Sequence, residues 1–338
     1  MPEACAGCGA QLGSGLLICP ACHRLVHARQ LGQLAADAQK ATLEDRVSDA
    51  LSAWRTALPL LPPGTRQAEE VNARIQTLSA RVDAPGTPPP RKPGQGKVAA
   101  GASAVGLFLW KFKVVLLLGL GKAKFLLLGL TKLPTLLSMF LAFSVYWSLW
   151  GWKFALGFVL GIYVHEMGHV VALRGYGISA SAPMFIPGFG AFVRLNQRPA
   201  NAIEDSRVGL AGPRWGAFAT LGFAALYLAT GEKLFAALAH ANAWINVFNL
   251  LPFWQLDGSR AFAALARRER LIAAGVLLVS WIATSETLVL LVALGAGVRS
   301  FTKDAPATSD RRTLVEYALL SVALAGLGYL MAKGSPLL

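Results

Sequence analysis

The spacing of apolar positions changes character along the chain, and each change predicts a different element. In residues 28–82 they recur on one helical face: Leu31, Leu34, Ala35 and Ala38, then Val47, Leu51, Trp54, Ala57 and Leu58, then Val71, Ile75, Leu78 and Val82. That period predicts amphipathic helices, the second closed by Pro59, Pro62, Pro63 and Gly64. Residues 84–97 are dense in proline and glycine, which denies regular structure and predicts an extended spacer. Residues 105–133 alternate apolar blocks with lysines, as an amphipathic stretch lying in a membrane interface does. Beyond them the apolar runs lengthen to the scale of a bilayer. They cover Thr135–Trp150, Phe154–Arg174, 207–230, Leu234–Leu251, a hairpin over 271–299, and 313–332. Only 175–206 breaks the series, where Ser181–Ile186 and Ala191–Leu195 alternate like short strands around Pro187-Gly188-Phe189-Gly190.

The expected fold is mainly α: a polytopic membrane helical bundle of about six spans with a short β-like insertion. Four segments follow from the pattern: a small zinc ribbon over 1–27, a helical module over 28–83, a linker over 84–104, and a membrane domain over 105–338. Composition agrees, since the 338 residues are 54% hydrophobic and only 15% charged, too apolar for an ordinary soluble chain. The net charge of +14 invites a nucleic-acid reading. Many of the basic residues instead flank apolar runs (Lys111, Lys122, Lys132, Arg267, Arg268, Arg311, Arg312), as the positive-inside rule describes, and nucleic acid is not an expected partner. The start, MPEACAGCG, has neither a basic n-region nor an apolar h-region, so the N-terminus is expected in the cytoplasm of a multi-pass cell-membrane (inner or plasma membrane) protein. Lysines before Thr135 and Arg174 after the second run orient both of those ends toward the cytoplasm.

Two clusters carry chemistry. Cys5-x2-Cys8 and Cys19-x2-Cys22 hold every cysteine in the chain, and paired knuckles at this spacing wrap one structural zinc through four thiolates. Disulfides are disfavoured in a reducing compartment. The second cluster lies inside an apolar run, where polar groups are costly and need a reason. His165 and His169 are four residues apart, hence on one helical face, with Glu166 beside the first. This H-E-x-x-H pattern supplies two imidazoles for zinc and a carboxylate for a water.

A catalytic zinc takes three protein ligands and keeps one position open. His240 lies nine residues before Asn249 on the fourth run, hence roughly 14 Å deeper. Glu204 and Asp205 fall in the connector, and Glu286 at the far side. Asp257 follows the helix break at Pro252, at the depth of His169, and Gly258 gives its backbone room; it is the expected third ligand. Asn242, Asn246 and Asn249 share one helical face, which should point inward rather than at lipid.

HEMGH at 165–169, together with Asn246-x-x-Asn249-x-x-Pro252-x-x-x-Leu256-Asp257-Gly258, resembles the site-2 protease family of intramembrane zinc metalloproteases. The likeness extends through Ala211-Gly212-Pro213 and 182–187, and spans roughly 107–330. It implies a catalytic zinc on His165, His169 and Asp257, Glu166 as catalytic base, and cleavage of membrane-anchored protein substrates near the cytoplasmic leaflet. Asn246 would donate to the substrate carbonyl or serve as an interhelical packing amide. The PDZ-type insertions of some members have no counterpart here, and the ribbon and helical module are additions to the membrane core. The run Trp54-Arg55-x-Ala57-Leu58-x-Leu60-Leu61-Pro62 resembles part of one degenerate tetratricopeptide-type unit. It reads equally as a docking surface for a protein partner within 1–83 or as a small packed module. The competing function is a catalytically inactive membrane scaffold that binds partners through ribbon and helices, against which the retained Glu166 argues. A metal-ion transporter would want more ionisable groups across the bilayer than His240 and Glu286.

Overall fold

The computed structural model describes residues 4–83, 133–181, 183–187, 190–192 and 197–334. The expected linker, the lysine-rich stretch up to residue 132 and the centre of the 181–195 insertion lie outside the described residues. Among those described, the fold is mainly α, with eleven α-helices and one two-stranded sheet.

The N-terminal knuckles are held by isolated bridges, Ala4 with Gln11 and Ile18 with Leu25. Helices α1 (Ala28–Leu43), α2 (Val47–Ala57) and α3 (Arg66–Asp83) follow. Their apolar stripes meet in a core of Ala38, Leu51, Trp54, Val71, Ile75 and Leu78, onto which Leu25 of the ribbon also packs. The period-3.6 pattern thus places each helix because α1 and α3 each bury one face against α2, which lies between them.

The second body starts with α4 (Leu133–Trp150) and α5 (Trp152–Gly175), joined at Gly151. Its φ of +83° supplies the left-handed turn that reverses the chain. Rings of Tyr146 and Phe158 meet edge to face at 5.1 Å across the pair. Strands β1 (Met184–Ile186) and β2 (Gly190–Phe192) form an antiparallel hairpin, much shorter than the expected runs. Phe185 is buried from the hairpin into the α4–α5 core, and its N–H donates to Ser138 Oγ at 3.1 Å. Then come α6 (Ala202–Thr230), α7 (Lys233–Asn249), the short α8 (Asp257–Ala263), α9 (Arg267–Thr284), α10 (Thr287–Ser300) and α11 (Arg311–Gly334). Leu210, Val247, Phe262, Leu277, Val292, Tyr317 and Leu324 join these helices in one core.

Among the described residues, two helices, α5 and α11, are long and apolar enough to cross a membrane by length and composition; α4 (over Leu136–Trp150) and α10 are apolar but shorter. The expectation of about six spans is corrected to these two. The reason is where polarity falls. Helix α6 carries Glu204, Asp205, Arg207 and Arg214, α9 opens with Arg267-Arg268-Glu269-Arg270, and α7 has 17 residues with two asparagines fully buried. Outward faces remain apolar, with Phe140, Phe218, Val279, Leu294 and Leu319 all exposed.

Candidate metal centre

Helix α5 brings His165, Glu166 and His169 to one buried face, each less than a tenth exposed. What makes them a centre is how the ring nitrogens are used. His169 Nδ1 lies 2.8 Å from the Val208 carbonyl of α6, which only accepts, so Nδ1 carries the proton and donates. His165 Nδ1 lies 2.7 Å from Asn246 Oδ1, whose own nitrogen donates to the Asn242 carbonyl at 2.7 Å, so this Nδ1 also donates. In each ring Nδ1 is thus taken up by a hydrogen bond, and Nε2 is the nitrogen turned toward its neighbours. The two Nε2 atoms face each other at 3.2 Å, and Asp257 closes the triangle with Oδ2 3.1 Å from His165 Nε2 and Oδ1 3.3 Å from His169 Nε2. With Nδ1 held, each ring presents Nε2 as the atom that can ligate a metal beside the Asp257 carboxylate. A tetrahedral zinc with ligands at 2.0–2.1 Å spaces them about 3.3 Å apart. The donor set and the spacing fit a zinc.

The packing that allows this is set by glycine. A Cβ on Gly212 of α6 would collide with both Nε2 atoms, and one on Gly216 would collide with Asn246 Oδ1. Helix α6 thus presents bare backbone where the ligands lie. Asp257 reaches them from the first turn of α8, after the chain leaves α7 through Pro252.

A cavity of about 1150 Å³ opens beside the triad. Its walls include Glu166, Ile186 and Ala191 of the hairpin, Arg198 and Asn201 of the connector, and Trp254. Asn249 also lines it, with Nδ2 3.5 Å from His165 Nε2. Trp254 is 92% exposed and holds φ at +51°, a left-handed conformation a bulky residue rarely adopts, with its carbonyl accepting from Ser259 Oγ at 2.7 Å. No sequence signal marks such a residue.

His165, His169 and Asp257, expected together, are brought together. Asn246, expected at a substrate carbonyl or in packing, has its oxygen on His165 and its nitrogen on a backbone carbonyl. His240 donates to or accepts from no member of the triad; its Nδ1 meets the Gly328 carbonyl at 2.9 Å. Glu204 pairs with Arg55 at 2.5 Å and Asp205 with Arg260 at 2.7 Å. Asn242 donates to the Gly216 carbonyl and to Thr220 Oγ1, both at 2.9 Å, inward as expected.

The four cysteines form a second cluster. Cys5 and Cys22 sulfurs lie 3.6 Å apart, as do those of Cys8 and Cys19, and all four fall within 4.8 Å of one another with no disulfide. Zinc–sulfur bonds of 2.3 Å in a tetrahedron space the sulfurs about 3.8 Å apart, so this set fits a structural zinc. The backbone N–H groups of Gly7 and Cys8 hold the Cys5 thiol down to about 6. The Ala10 backbone pulls Cys8 down, but the neighbouring Cys22 and Cys19 sulfurs drive it up to about 12.

Fold and site define a mainly helical chain with a buried His-His-Asp cluster and a four-cysteine cluster, both compatible with metal binding. Comparison with known proteins finds a distant relationship to a metalloprotease. The chain is 26% identical over 133 residues to the zinc metalloprotease MJ0392 of Methanocaldococcus jannaschii, a match over 37% of each chain. The matched part thus spans well under half of that relative's length. No known family profile and no solved structure matches.

Proposed function

We propose that the chain is a zinc-dependent intramembrane endopeptidase that hydrolyses peptide bonds of membrane-anchored protein substrates near the cytoplasmic leaflet, in the manner of the site-2 protease family. One observation carries the reading: the Nε2 atoms of His165 and His169 and the Asp257 carboxylate converge beside the buried Glu166, at the wall of a cavity that a β-hairpin lines. The distant metalloprotease relative supports it.

A zinc ion would be held by His165, His169 and Asp257 and would supply Lewis acidity for a carbonyl oxygen and for water. Glu166 takes the water proton on a carboxylate oxygen and hands it to the leaving amine nitrogen. Asn246 holds the His165 ring, and Asn249, at the cavity, is the amide that faces a substrate carbonyl. A substrate helix keeps its carbonyls bonded and must unwind before attack. The edge of the hairpin offers backbone groups on which an unwound strand pairs. Helices α5 and α11 cross the cell membrane, with the metal centre toward the cytoplasm. Arg174 at the end of α5 and Arg311 and Arg312 at the start of α11 support that orientation, against Lys153 at the opposite end of α5. The ribbon zinc is structural.

The test is Glu166→Gln in the full-length chain. Zinc content stays at the wild-type level, and comparison of membrane proteomes from cells with either form reveals substrates that accumulate uncut with the variant. Cleavage at the wild-type rate by Glu166→Gln overturns the endopeptidase reading and leaves the scaffold.

A further inference from the structure

The helical module does not hang free of the metal-bearing helices. Arg55 of α2 is 6% exposed, and besides Ser79 Oγ of α3 at 3.5 Å its guanidinium reaches three separate parts of the other body. Nε donates to the Tyr176 carbonyl at 3.0 Å, Nη1 to the Arg198 carbonyl at 3.3 Å, and Nη2 to Glu204 Oε1 at 2.5 Å. Tyr176 caps the end of α5, seven residues after His169. Arg198 lines the cavity. Glu204, fully buried, sits in the first turn of α6, one turn before Val208, whose carbonyl receives His169 Nδ1–H. One planar fork from the N-terminal module therefore ties the end of the helix that carries His169 to the start of the helix that orients it.

The surroundings fix the same register. Gly177, at φ +65°, leaves no space for a Cβ against the backbone of Ser48 and Ser52 on α2. Gln76 of α3 donates to the Ala200 carbonyl and accepts from Asn201 Nδ2, both at 2.8 Å, and Asn201 Oδ1 in turn caps α6 through the Glu204 N–H. Val82 packs with Leu173, Tyr176, Ile178 and Val208. Tyr176 OH donates to Asp83, which also faces Arg207.

We propose that Arg55 is a positioning residue for the metal centre, and that the helical module is a working part of the site rather than a tether. A five-donor planar fork suits three acceptors in fixed directions, which a lysine's single point of charge does not. If α5 and α6 slide, the Val208 carbonyl leaves Nδ1 and His169 Nε2 turns away from the other two ligands. Outer partners of metal-bound histidines typically govern affinity by 10–100-fold. This rests on the zinc reading of the triad.

The experiment records zinc release to a chelator from the full-length chain in detergent, with His169→Ala marking which of the two released populations belongs to the triad. Arg55→Met alone strands the Glu204 charge and can unfold the chain, so the informative variant is Arg55→Met with Glu204→Gln, which removes both charges. The expected result is a melting temperature near wild type with zinc release from the triad at least about tenfold faster, and ribbon release unchanged. Release at the wild-type rate in the paired variant overturns the positioning role: Arg55 is then only the counter-charge of Glu204. A wild-type chain with no His169-dependent zinc overturns this inference and the metal reading together. Fast release in the paired variant alongside undiminished cleavage by Glu166→Gln supports the inference while the endopeptidase reading fails.

Discussion

The two clusters, both compatible with metal binding, differ in the features that separate a closed metal site from an open one. The ribbon draws four ligands from 18 consecutive residues, Cys5 to Cys22, closed on itself at the outer end of the chain. The triad draws three ligands from two helices 88 residues apart in sequence between His169 and Asp257, buries all of them, and keeps one side on a large cavity. Four thiolates satisfy a zinc and exclude everything else; three ligands and a cavity leave it room to act. Short-range assembly makes the first site independent of the rest of the fold. The second exists only while α5, α6, α7 and α8 hold their positions.

The comparison breaks most sharply if the sites are not independent. His169→Ala should leave one zinc per chain instead of two, and Cys5→Ser with Cys8→Ser should leave the other; elemental analysis after dialysis reads both. Loss of both ions from either variant would mean that the sites are coupled through the module. Next in size is Gly212→Ala. Overpacking a core costs about 1–3 kcal/mol when neighbours can shift. Here the neighbours are the two ligand nitrogens, so the added methyl should expel the triad zinc while circular dichroism stays helical. Asn246→Ala should be milder, weakening triad zinc about 10–100-fold in chelator competition with ribbon zinc untouched. The smallest effect is a titration. Cys5 sits at about 6 in the metal-free ribbon, below the unfolded thiol at about 8.5. Its ionised form therefore contributes stability that is full above the unfolded value and is lost as pH falls through about 6. Ultraviolet thiolate absorbance of metal-free chain should retain a step near pH 6 that Cys5→Ser removes.

The ribbon was legible because all its information is local. So were His165 and His169, one helical turn apart, and the helices of the module, whose stripes repeat every turn. Asp257 is legible because a helix-breaking proline, Pro252, and Gly258 set it just past the end of an apolar run. What stayed hidden depends on groups distant in sequence choosing one another. Nothing near Arg55 announces Glu204, 149 residues on. Asn246 is inward by its spacing with Asn242 and Asn249, yet only the placement of α5 against α7 decides that its oxygen takes His165. The span count failed for a related reason: helices that bury polar residues against each other need only be apolar on the outside, so run length in the sequence overstates how many match a bilayer.

The two histidines are held by different kinds of atom, and that sets how each can change over evolutionary time. The partner of His165 is the side-chain amide of Asn246, open to replacement by one codon. The partner of His169 is the main-chain oxygen of Val208, which every amino acid at that position carries alike. Substitution can retune the first ligand's basicity directly. The second is shielded from point mutation at its own acceptor, and only displacement of the whole helix reaches it. Natural variation in metal affinity should therefore collect at position 246 and along the contacts that seat α6, and leave position 208 free to drift among residues of similar size.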